Sequence, residues 1–239
     1  MSSMKSNIQR ILLPLILLSM ISLIAMIFYY SPTMYDDTGQ LLDKSFNIFF
    51  IHLPIAIISY ISFLVVFISS ILYLSTSCKK WDHLAVSAAE VGVLFAFLVL
   101  VTGSIWARAA WGWYWVWEPR LTTSLVLFLV YVAYLTVRQS IDESAKSARL
   151  SAIFGIVGFI SVPLSFLSIR LWRSVHPVMF GDTFYGTSGG GLEGTSIIIT
   201  LLISFAAFLL LFAGILLYRY EIEKIKDEIY DLKYDLKMA

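Results

Sequence analysis

The chain has 239 residues, of which 59% are hydrophobic and only 14% charged, with a formal net charge of +1. That balance excludes an ordinary soluble domain and points to a polytopic protein bathed in membrane lipid. No basic cluster accompanies it, so nothing suggests a nucleic-acid partner.

Apolar runs able to cross a hydrocarbon core of about 30 Å need roughly 20 residues. Six occur, over 11–30, 47–74, 84–104, 120–137, 150–168 and 197–218. An all-α, six-helix membrane fold follows. Lys5 and Arg10 precede the first run as in a secretory signal, but the run is long and ends in "FYYSP" without a small-residue cleavage site, so it reads as a retained helix. With no internal repeat or polar linker, residues 1–218 read as one membrane domain.

Lysine and arginine are unequal between alternate loops. One set holds Lys5, Arg10, Lys79, Lys80, Arg138, Lys146, Arg149, Arg219, Lys224, Lys226, Lys233 and Lys237; the other holds Lys44, Arg108, Arg120, Arg170 and Arg173. Twelve against five predicts both termini in the cytoplasm. Segments 31–46, 105–119 and 169–196 then face outward. Cys78, the single cysteine, falls on the cytoplasmic side, which excludes disulfides or a thiolate metal cage within the chain. A CxxCH haem attachment motif is absent too.

The outer segment 105–119 contains "WARAAWGWYWVWEPR", with Trp111, Trp113, Trp115 and Trp117 at every second position and Trp106 upstream. They would share one face of an extended chain, or form two opposed stripes on a helix. Gly112 weakens helix propensity and Pro119 disfavours helical geometry at Glu118, so the segment is expected to be a structured loop that ends where the fourth crossing begins. An interfacial aromatic belt is one reading. A platform for a planar apolar ligand is the other, since the rings are denser than anchoring needs.

Of three histidines, His52 and His176 fall on the outer side and His83 at the cytoplasmic boundary. A single histidine is more often a hydrogen-bonded structural residue than a ligand. Two on the side of an aromatic platform can supply both axial nitrogens to a haem iron. Arg170 and Arg173, with Arg108 and Arg120, can pair with propionate carboxylates. Snorkelling at helix ends is the competing role, and the stronger one for Arg120.

In the third crossing, Glu90 is an intramembrane carboxylate, expected to pair with a hydroxyl or tyrosine in the bundle. The glycine-rich run "GTSGGGLEGTS" before the last crossing lacks a phosphate-loop pattern and reads as a mobile outer loop able to close over a site. In the tail, 219–239, Ile222, Ile225, Ile229, Leu232 and Leu236 step by three and four, a short heptad seam on a cytoplasmic helical extension.

The stretch "TGSIWARAAWGWYWVWEPRLTTSLVLF", with "FFIHLPIAIISY" and "LWRSVHPVMF", resembles the tryptophan-rich (WWD-motif) haem-handling proteins of cytochrome c maturation, in particular the CcmC family. The resemblance implies transient binding of haem b at the outer face of the inner or plasma membrane. His52 and His176 would be axial ligands, the tryptophans and Glu118 would line the site, and the haem would pass to a haem chaperone, CcmE. It also implies an ABC-type ATPase and permease with a small accessory subunit, and haem delivery in place of enzymatic catalysis. Glu118-Pro119 stands where the family usually has an aspartate and a small residue, and Ala107 and Ala110 replace an expected glycine and proline. The acid-proline pair is shared with single-chain cytochrome c synthetases, which are longer and carry further histidines. A respiratory subunit with b-type haems would need histidine pairs inside facing helices.

Overall fold

Each apolar run becomes a helical crossing, and successive crossings run antiparallel. A computed structural model describes residues 2–30, 44–141, 144–176 and 195–238. The helices are α1 (Ser2–Ala25), α2 (Phe49–Thr76), α3 (Lys79–Trp111), α4 (Pro119–Gln139), α5 (Ser144–Gly158), α6 (Ser161–Leu171) and α7 (Thr195–Met238). Six segments are long and apolar enough to span a membrane, α5 and α6 together making the fifth. No strand occurs among the described residues. Most of the glycine-rich run before α7, expected to act as a closing loop, lies outside them.

Helices α2 and α3 form the central pair. Ala85, Ala88, Ala89, Gly92 and Ala96 put small residues along the buried face of α3, which lets the two backbones approach closely. At Gly92 an added Cβ would stand 2.6 Å from the Phe63 ring. Across the same contact Ser62 donates to the Ala88 carbonyl at 2.6 Å, satisfying a hydroxyl that lipid could not. One apolar core joins this pair to α1 and α7 through Leu23, Phe50, Phe95 and Phe208. A second joins it to α4 and α6 through Phe63, Ala88, Tyr131 and Val162, with Phe63 and Tyr131 stacked at 3.7 Å.

Two element boundaries depart from the expected spans. Helix α3 continues past residue 104 to Trp111, so Trp106, Arg108 and Trp111 are helical and only 112–118 is loop. Alanine at 107, 109 and 110 favours that extension. Gly112, at φ 79°, ends it in the left-handed conformation. The fifth crossing breaks at Phe159–Ile160, where Pro163 lacks the N–H that would bond the Phe159 carbonyl and crowds that oxygen.

The end remote from the tryptophans is tied by charge. Arg138 donates to both Asp82 oxygens at 2.6 and 2.5 Å. Glu90 pairs with Arg219 of α7, contrary to the hydroxyl or tyrosine partner expected for it. Helical side chains lean toward the N-terminus, so Arg219 reaches back into the bundle to meet the carboxylate. Because α7 runs unbroken, Asp227 and Asp231 also dock on the start of α3, accepting from Lys79 at 3.0 and 3.3 Å. His83, buried here, pairs with Asp227 at 3.1 Å.

Candidate functional site

At the other end, the first turn of α2, the last three turns of α3, the start of α4 and the segment after α6 surround a largely apolar cavity. Its empty space is about 860 Å³, open mouth included. His52, Gly103, Trp106, Trp111, Trp115, Arg120 and His176 are among its walls.

Gly103 extends the small-residue face of α3 to this end, and an added Cβ there would meet His52 Cε1 at 3.1 Å. The imidazole is thus packed on bare backbone. His52 Nδ1 lies 2.8 Å from Thr102 Oγ1. With that hydroxyl's proton on the Leu98 carbonyl at 2.7 Å, its oxygen accepts from Nδ1–H and Nε2 keeps the lone pair.

His176 is held differently. Its backbone N–H donates to Ser174 Oγ at 3.0 Å, and Ser174 donates to Glu118 Oε2. The other Glu118 oxygen caps α4 by accepting from Leu121 N at 2.9 Å. Glu118 is buried, so one carboxylate fixes both the start of α4 and the segment that carries the second imidazole.

The two imidazole centroids stand 6.5 Å apart, with the rings 37° from parallel. A metal-bound imidazole nitrogen at about 2.0 Å puts its ring centroid roughly 3.2 Å from the metal, or about 6.4 Å between two rings on opposite sides of one ion. The separation of the two centroids matches that spacing. Trp106 packs against His176 at 6.4 Å and edge-on to Trp111 at 5.1 Å. Trp115 presents an indole N–H that is buried without an acceptor among the described residues, a donor suited to a carboxylate or other polar edge of a bound group. Aromatic walls, a nitrogen pair and an orphan donor together suit a haem.

The tryptophans do not form one flat surface. Trp111 ends α3 and, with Trp115, lines the cavity, whereas Trp113 and Trp117 are 68% and 77% exposed. Trp117 still touches Trp115 edge-on at 5.6 Å. The arginines divide as well. Arg120, for which snorkelling was the stronger reading, turns inward, donates to the Ser165 carbonyl and lines the cavity. Arg108 bonds the Gly112 carbonyl at the end of α3. Arg170 lies 5.0 Å from the Phe166 ring centroid and Arg173 is exposed; neither lines the cavity.

Sequence reasoning missed Thr102, Gly103 and Ser174. Gly103 and Trp106 share a helical face by their spacing of three, a signal that could have exposed the glycine. Ser174 offered none, because its partner lies 56 residues away.

Comparison with known proteins agrees with this architecture. A family model described as heme exporter protein C matches residues 2–234. The chain is 34% identical over 200 residues to heme exporter protein C of Bradyrhizobium diazoefficiens, covering 84% of this chain and 74% of that protein. A putative cytochrome c biosynthesis ccmC-like mitochondrial protein of Marchantia polymorpha is 33% identical over 172 residues, covering 70% and 69%. Heme exporter protein C of Haemophilus influenzae is 31% identical over 189 residues, covering 77% and 74%. With six crossings and a match over nearly its whole length, this chain belongs to the heme exporter protein C family.

Proposed function

We propose that this chain binds haem b between His52 and His176 at the extracytoplasmic face of the inner or plasma membrane and presents it to the haem chaperone CcmE. The observation that carries the reading is the imidazole pair, 6.5 Å apart in an aromatic cavity. Relatives named heme exporter protein C support haem delivery, as opposed to catalysis, as the role. The twelve-to-five bias of Lys and Arg supports the sidedness.

His52 would ligate through Nε2, its tautomer set by Thr102, and His176 through a segment tethered by Glu118. Trp106, Trp111 and Trp115 would exclude water from the ring faces. Arg120 would neutralise a propionate, while Arg108, Arg170 and Arg173, which do not line the cavity, would reach the other only by leaving their present positions. Exposed Trp113 and Trp117 would meet lipid or the chaperone. Residues 1–218 would form the haem-handling domain, working with an ABC-type ATPase and permease and a small accessory subunit, and 219–239 its cytoplasmic tail.

Co-expression with a CcmE-type chaperone tests the proposal. Chaperone carrying covalent haem should fall by at least about tenfold with His52→Ala or His176→Ala, at unchanged membrane abundance of the chain. Undiminished loading with both variants would contradict it.

A further inference from the structure

Beyond the bundle, the outer face of the last helix carries an exposed apolar stripe flanked by charges. Helix α7 continues unbroken to Met238, and Glu223, Asp227 and Asp231 turn one side of it toward Arg219, Lys79 and His83. The opposite side carries Ile222, Ile225, Ile229, Leu232 and Leu236, which are 40%, 51%, 46%, 62% and 79% exposed. Five large apolar side chains in register on one stripe are unusual for a helix segment flanked by this many charges.

Assigning Ile222, Ile229 and Leu236 to heptad position a and Ile225 and Leu232 to d places Glu221, Glu228 and Asp235 at g, and Lys226 and Lys233 at e. Every g is acidic and every e is basic. In a parallel pair each g faces the e of the next heptad on the other strand, so Glu221 meets Lys226 and Glu228 meets Lys233 with opposite sign. An antiparallel pair would set g against g and e against e, like charges throughout. Two copies inserted in one membrane with the same topology present their tails parallel, which is the arrangement the charges favour.

We propose that this stripe is a homodimerisation surface, on which the tails of two copies of this chain pair as a short parallel coiled coil. Two heptads are too few to associate as free peptides. Here the helix is already ordered by its contacts with α3, and anchoring in one bilayer raises the effective concentration of the second strand. Within one chain Lys226 contacts Glu223 at 2.6 Å and Glu228 contacts Lys224 at 3.4 Å. Lys226, 59% exposed, and the exposed Lys224–Glu228 pair can exchange these contacts for contacts across the dimer at little cost.

Oxidative cross-linking of the full-length chain in native membranes tests this, in a Cys78→Ser background that removes the exposed native thiol. Leu232→Cys, at d, should give a disulfide-linked species of twice the chain mass. Lys224→Cys, at c, should give about tenfold less. Adding Glu228→Lys or Lys233→Glu to Leu232→Cys should each lower the dimer about tenfold by setting like charges together. Co-expressing those two charge variants with different tags should restore a mixed dimer, which a misfolded chain would not do. Equal cross-linking at 224 and 232, a product with the mass of another protein, or indifference to the charge reversals would overturn the proposal.

Discussion

Thr102 Oγ1 and His52 Nδ1 are hydrogen-bonded at 2.8 Å, and with the threonine proton on the Leu98 carbonyl at 2.7 Å that oxygen receives the proton of Nδ1. The nitrogen left with a lone pair is Nε2. Outer partners of ligating histidines typically matter 10–100-fold, so Thr102→Val should weaken haem binding by about that factor, read by absorption titration. Thr102→Ser keeps the hydroxyl and should bind nearly as the wild type does. Equal loss in both would show that the methyl group, and not the hydrogen bond, sets the ring.

Gly103→Ala tests the floor beneath the same imidazole. The added methyl would stand 3.1 Å from His52 Cε1, so ring or helix must yield by a few tenths of an ångström. A small cost in thermal stability, about 1 kcal/mol by analogy with modest overpacking, should accompany an altered haem spectrum. An unchanged spectrum would mean that the ring moves freely.

Glu118 offers a separation of cap from tether. In Glu118→Gln the remaining carbonyl oxygen can still accept from Leu121 N, while the oxygen that accepts from Ser174 is lost. Thermal stability should stay near the wild-type value and haem affinity should fall. Glu118→Ala should lose both, with about 1 kcal/mol of cap stability. Loss of stability in the glutamine variant comparable to that in alanine would assign the residue to folding alone.

Far from the cavity, the Asp82–Arg138 pair is almost enclosed, with side chains 10% and 17% exposed. Removing one partner strands the other, so Asp82→Ala should destabilise by about 3–5 kcal/mol, while Asp82→Leu with Arg138→Met should recover most of that. Neither change should shift the spectrum of bound haem. A shift would reveal coupling between the two ends of the bundle.

Trp115 and Trp117 neighbour each other but differ in exposure: one lines the cavity and the other is 77% exposed. Trp115→Leu should weaken haem binding. Trp117→Leu should leave binding intact and slow haem transfer to the chaperone. Equal losses of protein abundance in both would mean that the rings serve as membrane anchors.

The crossings were legible because an apolar run of the right length admits few structures in lipid. Pro119 marked the start of α4 for the reason of backbone geometry that suits it to a first helical position, whereas Gly112 was read only as weakening helix propensity within a loop, and the helix end it caps was not foreseen. The division of the tryptophans was not legible. Alternation implies a shared face only if the chain is uniformly extended, and here a helix ends at Trp111 and a left-handed residue follows. Thr102 was hidden because a threonine in a membrane helix usually bonds its own preceding turn, as this one also does. Glu90 lacked a visible partner because Arg219 sits at the end of a run that composition treats as boundary, while its side chain points back into the bundle.

The most direct measurement is the absorption spectrum of the purified, haem-loaded protein beside three single variants. The wild type and His83→Ala should both give the spectrum of bis-histidine haem, and His52→Ala and His176→Ala should each lose it. Haem lost on His83→Ala, with a bis-histidine spectrum retained by both other variants, would contradict the site described here.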